Sequence, residues 1–196
     1  MEFDVAKTIV IVGVGALGSH TVQFLRNVDA KIRIVDFDRV EQKNTQSQFH
    51  GKSAIGKPKV QAVGQLMQFL FGLKIDTIPH KLVDDNVNQL LGNSDLIIDC
   101  LDNAKARLLV QGFARKNKVE CLHGALAANG DFGRVVWDNS FIIDTEPSTG
   151  VATCEDGEQL PFIGLVSSIL AESAKTYLNS GKKSNYSIHP GGVIKI

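Results

Sequence analysis

The stretch Ile9-Val10-Ile11-Val12-Gly13-Val14-Gly15-Ala16-Leu17-Gly18-Ser19-His20 decides the fold. Its uncharged Ile/Val run reads as a buried strand, and it breaks directly into G-x-G-x-x-G and the start of a helix. In such a turn Gly13 permits the tight bend, Gly15 lets a phosphate approach the backbone, and Gly18 lets the helix pack closely on the strand. The neighbouring N–H groups and the helix N-terminus favour an anion. About twenty residues on, Lys31 to Val35 reads as a second strand ending at Asp36, where a ribose-binding carboxylate is expected. The order strand, glycines, helix, strand, acid predicts an α/β fold with a Rossmann-like, doubly wound, mostly parallel sheet. By itself it says only nucleotide, and a glycine turn that merely packs is the alternative.

Composition narrows the classes. The 196 residues suit one domain, 1–196, able to bury a continuous core and too short for a Rossmann module plus a full second domain. Twenty-one Lys plus Arg balance 21 Asp plus Glu, so there is no net field to draw nucleic acid or anionic lipid. No apolar run approaches the ~20 residues of a membrane span, and Met1-Glu2-Phe3-Asp4 leads to the first strand without a basic leader. A cytoplasmic protein is expected. Cys100, Cys121 and Cys154 are scattered and odd in number, which suits free thiols in a reducing compartment, and no C-x-x-C suggests structural zinc.

Along the chain, a helix is expected over Ala16 to Asn27. Phe37 to Gly56 is a long polar stretch without periodicity, the kind of loop that is functional or disordered. Gly56-Lys57-Pro58-Lys59 reads as a helix start, with an apolar stripe of Val60, Val63, Leu66, Met67 and Leu70, and the Met and Phe residues here are expected in the core rather than in a cofactor box. A short strand over Lys74 to Pro79, a brief helix capped by Asp84, and a buried strand over Asp95 to Asp99 follow. Asp102 stands just beyond that strand, at the C-terminal edge where open α/β sheets place ligands, and a helix runs from Asn103 to Lys116. Asp99 reads as a cap or an organiser of this turn, and Arg107 as an ion-pair former. Strands over Glu120 to Ala125 and Arg134 to Trp137, with a turn at Asn129-Gly130, suggest that the sheet becomes antiparallel here. Asp144 to Gln159 is a second long loop, Pro161 to Asn179 the last helix, and Tyr186 to Ile196 one or two edge strands. The five histidines show no spacing that suggests a metal or a catalytic pair.

Asp36-Phe37-Asp38, Gly56-Lys57-Pro58-Lys59 and Asp99-Cys100-Leu101-Asp102-Asn103 together separate this chain from an ordinary dehydrogenase. With Asn44, Gln48, Arg107, Cys154 and Leu160-Pro161-Phe162-Ile163-Gly164, the sequence resembles the ThiF/MoeB/HesA family from Thr8 to about Leu178. These are sulfur-carrier-activating adenylyltransferases related to the adenylation domains of ubiquitin-activating enzymes. The resemblance implies that ATP is joined to the C-terminal carboxylate of a ubiquitin-like or sulfur-carrier protein ending in Gly-Gly, giving an acyl-adenylate and pyrophosphate. It further implies that Gly13, Gly15, Gly18, Asp36, Asn44 and Lys59 bind the nucleotide, Lys59 neutralising the triphosphate. Asp102 would hold Mg²⁺, Cys154 would take over the activated carrier, and the chain would form a homodimer.

Three departures stand beside the match. The family's arginine three residues after the loop asparagine is Ser47 here; the arginine-bearing helix that begins other members has no counterpart in the seven residues before the first strand; and paired C-x-x-C motifs are absent. Glu155, Asp156 and Glu158 crowd Cys154 with negative charge, which opposes thiolate formation, so an incidental loop thiol is the alternative there. The competing functions are a catalytically weakened nucleotide-binding partner subunit and an NAD-dependent oxidoreductase.

Overall fold

The computed structural model describes residues 6–127, 130–143, 157 and 159–196. Its frame is one mixed sheet: β1 (Thr8–Val12), β2 (Lys31–Val35), β3 (Asp76–Ile78), β4 (Leu96–Asp99), β5 (Glu120–Leu126), β6 (Gly133–Trp137), β7 (Tyr186–His189) and β8 (Gly192–Lys195). The spatial order is β3-β2-β1-β4-β5-β6-β7-β8. The first five neighbours pair in parallel and β5 through β8 pair antiparallel, as the sequence predicts. The order steps outward from β1 in both directions, to β2 and to β4, so the crevice between the ends of β1 and β4 is the topological switch point where such sheets bind ligands.

Side-chain alternation explains the layers. Ile9 and Ile11 of β1 face one side, where they pack with α1 (Ala16–Phe24), α2 (Lys59–Phe71) and α5 (Leu160–Ser180) through Leu17, Val63, Met67, Ile163 and Leu170. Val10 and Val12 face the other, under α3 (Val87–Leu91) and α4 (Ala104–Asn117), with Leu91, Val110 and Phe113. A strand with helices on both faces is apolar along its whole length, which is why β1 shows no polar alternation.

The apolar stripe of α2 is core only in part: Val60, Val63 and Met67 are fully buried, whereas Phe69, Leu70 and Phe71, in its last turn, are exposed. Several boundaries move. The first helix ends at Phe24 rather than Asn27, because the Arg26 N–H turns to the Gln23 carbonyl and the Val28 N–H to that of Leu25, tightening the chain out of the α-helix. The third strand spans Asp76–Ile78 only, the length over which β2 offers it partners. Asp84 does not cap the short helix; Asn86 precedes it and accepts from the Val83 N–H at 2.9 Å. The last helix extends to Ser180 and stops at Gly181, whose φ of +68° suits glycine. Gly130 closes its turn on Ala127, while Asn129 lies outside the described residues. The 37–56 loop is ordered: 3₁₀ turns at Gln42–Gln46 and Lys52–Ala54 and a bridge between Arg39 and Pro58 tie it to the start of α2. No helix among the described residues is long and apolar enough to cross a membrane.

Candidate nucleotide site

Each glycine of the loop is required for a different reason. Gly13 has φ +88°, and a Cβ there would lie 2.9 Å from the Cys100 carbonyl oxygen, so a side chain would push β1 and β4 apart at the switch point. A Cβ on Gly18 would sit 1.8 Å from the Gly13 carbonyl oxygen, an overlap that bars any other residue from this close helix–strand approach. Gly15 is the open one: a Cβ there would meet only the Gln48 amide nitrogen, at 4.0 Å. Gly15 also begins α1 with no side-chain cap and no acid in the first turn. The helix therefore presents unsatisfied N–H groups and its positive end toward the crevice.

On the β2 side, Asp36 is tied to the glycine loop. Its Oδ2 accepts from the Val14 N–H at 2.7 Å and its Oδ1 from the Asp38 N–H at 2.8 Å, leaving each oxygen a lone pair for a further donor. Burial raises the Asp36 pKa, and the two N–H groups and the nearby Lys59 ammonium oppose that rise. Lys59 is the first residue of α2; its side chain is buried and its Nζ reaches Asp38 Oδ2 at 3.0 Å. Asn44 is buried too, but its Oδ1 accepts from the Glu41 N–H at 2.8 Å and caps its own 3₁₀ turn.

The same loop, with α1, brings in residues without an assigned role in the sequence reading. His50 Nε2 meets the Val14 carbonyl at 3.1 Å, and His20 Nε2 meets the Ser47 carbonyl at 3.0 Å. Burial lowers the pKa of both rings; for His50, where Lys59 and His20 add their charge, it falls to about 4. Gln48 Oε1 and His50 Nδ1 are buried with no partner among the described residues. Ser47 is fully buried.

Across the switch point the arrangement is saturated. Asp99 is fully buried at the end of β4, and its Oδ2 accepts from Arg107 Nη1 at 2.9 Å and faces His123 Nδ1 at 2.7 Å. Its Oδ1 accepts from the Leu101 N–H at 2.9 Å, so it orders the turn rather than capping the helix, which Asn103 caps by accepting from Ala106 N–H. Arg107 Nη2 donates to the carbonyls of Leu101 and Gly124. His123 Nε2 lies 3.2 Å from Asp138 Oδ1, and Gln111 and Arg115 donate to that carboxylate. Burial alone would raise the Asp138 pKa, but hydrogen bonds from Arg115, Gln111 and His123 hold it below the usual carboxylate range. Burial and the Asp99 charge push the Cys100 thiol well up, so it is no nucleophile. Asp102, by contrast, is exposed, and its carboxylate makes no hydrogen bond or ion pair with any described residue. Cys154 lies outside the described residues.

The glycines, Asp36 and Lys59 thus gather on the β1/β2 side of the crevice, and Asp102 stands at the β4 side. The match to the ThiF family runs over residues 5–189, nearly the whole chain. The chain belongs to the ThiF family. Among curated relatives of this ThiF-family chain, "SAMP-activating enzyme E1" of Haloferax volcanii is 28% identical over 124 residues, covering 62% of this chain and 46% of that protein. "Adenylyltransferase and sulfurtransferase UBA4" of Meyerozyma guilliermondii is 29% identical over 184 residues (89% and 43%). "Molybdopterin-synthase adenylyltransferase" of Haemophilus influenzae is 28% identical over 187 residues (90% and 77%). The chain thus spans less than half the length of the first two. Among solved structures, E. coli MccB with ATP superposes at TM-score 0.76 with 13% identity, covering 97% of this chain and 63% of MccB. The E. coli tRNA N6-threonylcarbamoyladenosine dehydratase TcdA gives 0.67 at 16% (90% and 88%). At such identities the structures establish the shared fold.

Proposed function

We propose that this chain binds ATP at the switch point and adenylates the C-terminal carboxylate of a ubiquitin-like or sulfur-carrier protein. The observation that carries this reading is the pairing of an open, uncapped helix N-terminus at Gly15 with the unengaged carboxylate of Asp102 across the crevice. The names of the adenylyltransferase relatives support the same reading. In the reaction a carrier carboxylate oxygen attacks the α-phosphorus of ATP, the bond to the β-phosphate bridge breaks, and pyrophosphate leaves with its electron pair. The glycine loop and α1 would hold the phosphates, and Asp36 would accept from the ribose hydroxyls with its remaining lone pairs. Lys59 spends one of its three N–H donors on Asp38, which leaves two for the triphosphate. No cluster of three or more His, Cys, Asp or Glu among the described residues could hold a metal alone. A single carboxylate at Asp102 suits Mg²⁺, which binds through one or two carboxylates and substrate phosphates. Bound there, the metal would stabilise charge on the departing pyrophosphate. Catalysis is mainly positioning and charge stabilisation. We further propose a Gly-Gly terminus on the carrier, transfer to Cys154, a homodimer, and a cytoplasmic setting.

Ser47 favours a second reading. Where the family has an arginine, this chain has a fully buried serine, which fits a nucleotide-binding partner subunit with weakened catalysis. ATP–pyrophosphate exchange with small proteins ending in Gly-Gly, run beside ATP and NAD binding, separates the readings. Exchange is the expected result; ATP binding without exchange selects the partner subunit, and a preference for NAD overturns both.

A further inference from the structure

We infer that His123 is a positioning residue for the edge that carries Asp102, acting through Asp99. His123 on β5 stands in register with Asp99 on β4, and both side chains are fully buried. The ring is enclosed between two carboxylates, Asp99 Oδ2 at 2.7 Å from Nδ1 and Asp138 Oδ1 at 3.2 Å from Nε2. Carboxylates only accept, so each of the two contacts is served by an N–H of the ring. The contact at Nδ1 is the shorter of the two, 2.7 against 3.2 Å, and ties the ring to Asp99, while Nε2–H reaches Asp138. Phe141 lies flat on the ring, 4.1 Å between centroids and 3° from parallel, which blocks rotation out of that orientation.

The consequence reaches Asp102 in two steps. The donor at Nδ1, with Arg107 Nη1, fixes the plane of the Asp99 carboxylate, and the remaining oxygen, Oδ1, then holds the Leu101 N–H at 2.9 Å. Arg107 Nη2 holds the Leu101 carbonyl. Both backbone polar groups of Leu101, the residue preceding Asp102, are therefore set by the Asp99 constellation. The far end of the ring has a separate job: Asp138, held by Gln111 and Arg115 of α4, anchors His123 in place. Groups that orient a metal-binding or catalytic carboxylate from behind typically matter by about 10- to 100-fold.

Asn and Gln substitutions separate the two ends of the ring. The amide nitrogen of Asn falls where Nδ1 lies and that of Gln where Nε2 lies; Gln, one methylene longer, replaces more of the ring, so lost volume alone would rank the two variants the other way. In ATP–pyrophosphate exchange, His123→Asn is expected to keep kcat within about threefold of the parent, whereas His123→Gln loses about 10- to 100-fold in kcat with KM for ATP nearly unchanged. Hydrogen exchange at the Leu101 amide is read in parallel and should be about tenfold faster in His123→Gln than in His123→Asn. Equal kcat and equal Leu101 protection in the two variants would overturn the inference. The kinetic arm rests on the adenylation reading and the amide arm does not. If the parent chain shows no exchange, the adenylation reading falls, and the Leu101 amide alone decides the role of His123. If neither variant folds, Asp138→Asn at the outer end replaces them: faster exchange at Leu101, with the β1 amides unchanged, supports the anchor, and unchanged Leu101 protection overturns it.

Discussion

The two banks of the crevice between β1 and β4 are built on opposite terms. On the β2 bank, Asp36 and Lys59 keep spare hydrogen-bonding capacity, and Gln48 Oε1 and His50 Nδ1 are buried without partners among the described residues. On the β5 bank, Asp99 and His123 are fully buried and every charged group beneath the turn is matched. Unsatisfied buried polar atoms cost free energy and persist where a ligand completes them, whereas a saturated network gains rigidity. On the proposed reading, one bank binds and the other sets geometry, with Asp102 as the exposed carboxylate on the rigid bank.

Substitutions that break this division should differ in kind. The largest expected effect is Asp102→Asn: exchange falls about a thousandfold while ATP affinity stays within about tenfold, because a metal ligand matters more to a charge-separating transition state than to ground-state binding. Exchange at the parental rate with an unchanged melting curve would remove Asp102 from the site. Asp99→Ala should act on stability instead. Stranding Arg107 in the interior costs about 3–5 kcal/mol, read as a denaturation midpoint well below that of the parent; a stable variant would show that the second bank is not the rigid one.

His50 tests the unsatisfied bank by pH. Its folded pKa, about 4, lies below the ordinary histidine value of 6.5 because the ring is buried, so the unfolded chain takes up the proton first. The neutral ring contributes stability in full above pH 6.5, and that contribution falls as pH drops through the window down to about 4. Across that window the loss is about 3 kcal/mol. His50→Gln, which can still donate to the Val14 carbonyl, should flatten this part of the stability profile. An unchanged acid slope would place the titration elsewhere. The smallest effect concerns Ser47. Read from sequence, an arginine there would restore a phosphate clamp and tighten ATP binding. In the fold the serine is fully buried, so Ser47→Arg should overpack the loop, cost about 1–3 kcal/mol in thermal or denaturant unfolding, and weaken ATP binding. Tighter ATP binding would show that the side chain can reach the crevice.

What was legible in the sequence follows from how local each signal is. The alternation of Ile9 and Ile11 with Val10 and Val12, the glycine spacing and the acids at strand ends carry the sheet, the switch point and the places of Asp36, Lys59 and Asp102. Arg107 as an ion-pair former and Asp99 as organiser of its turn also match the structure. The link from Asp99 through His123 to Asp138 was not legible, because it depends on the register that sets Asp99 beside His123 and on the β5–β6 pairing. The ordering of the 37–56 loop was missed for a related reason: its short 3₁₀ turns and single bridge leave no period in the residues. Asn44 shows the converse, a motif residue whose oxygen is committed to its own turn.

The division between the banks is tested most directly by titrating the ¹⁵N-labelled chain with Mg·ATP and following its amide resonances. The account predicts saturable shifts at Gly13 to Gly18, Asp36 and Gln48, a Mg²⁺-dependent shift at Asp102, and little change at Arg107, His123 or Asp138. Shifts centred on the β5 bank, or an equal response to NAD at the glycine loop, would contradict it.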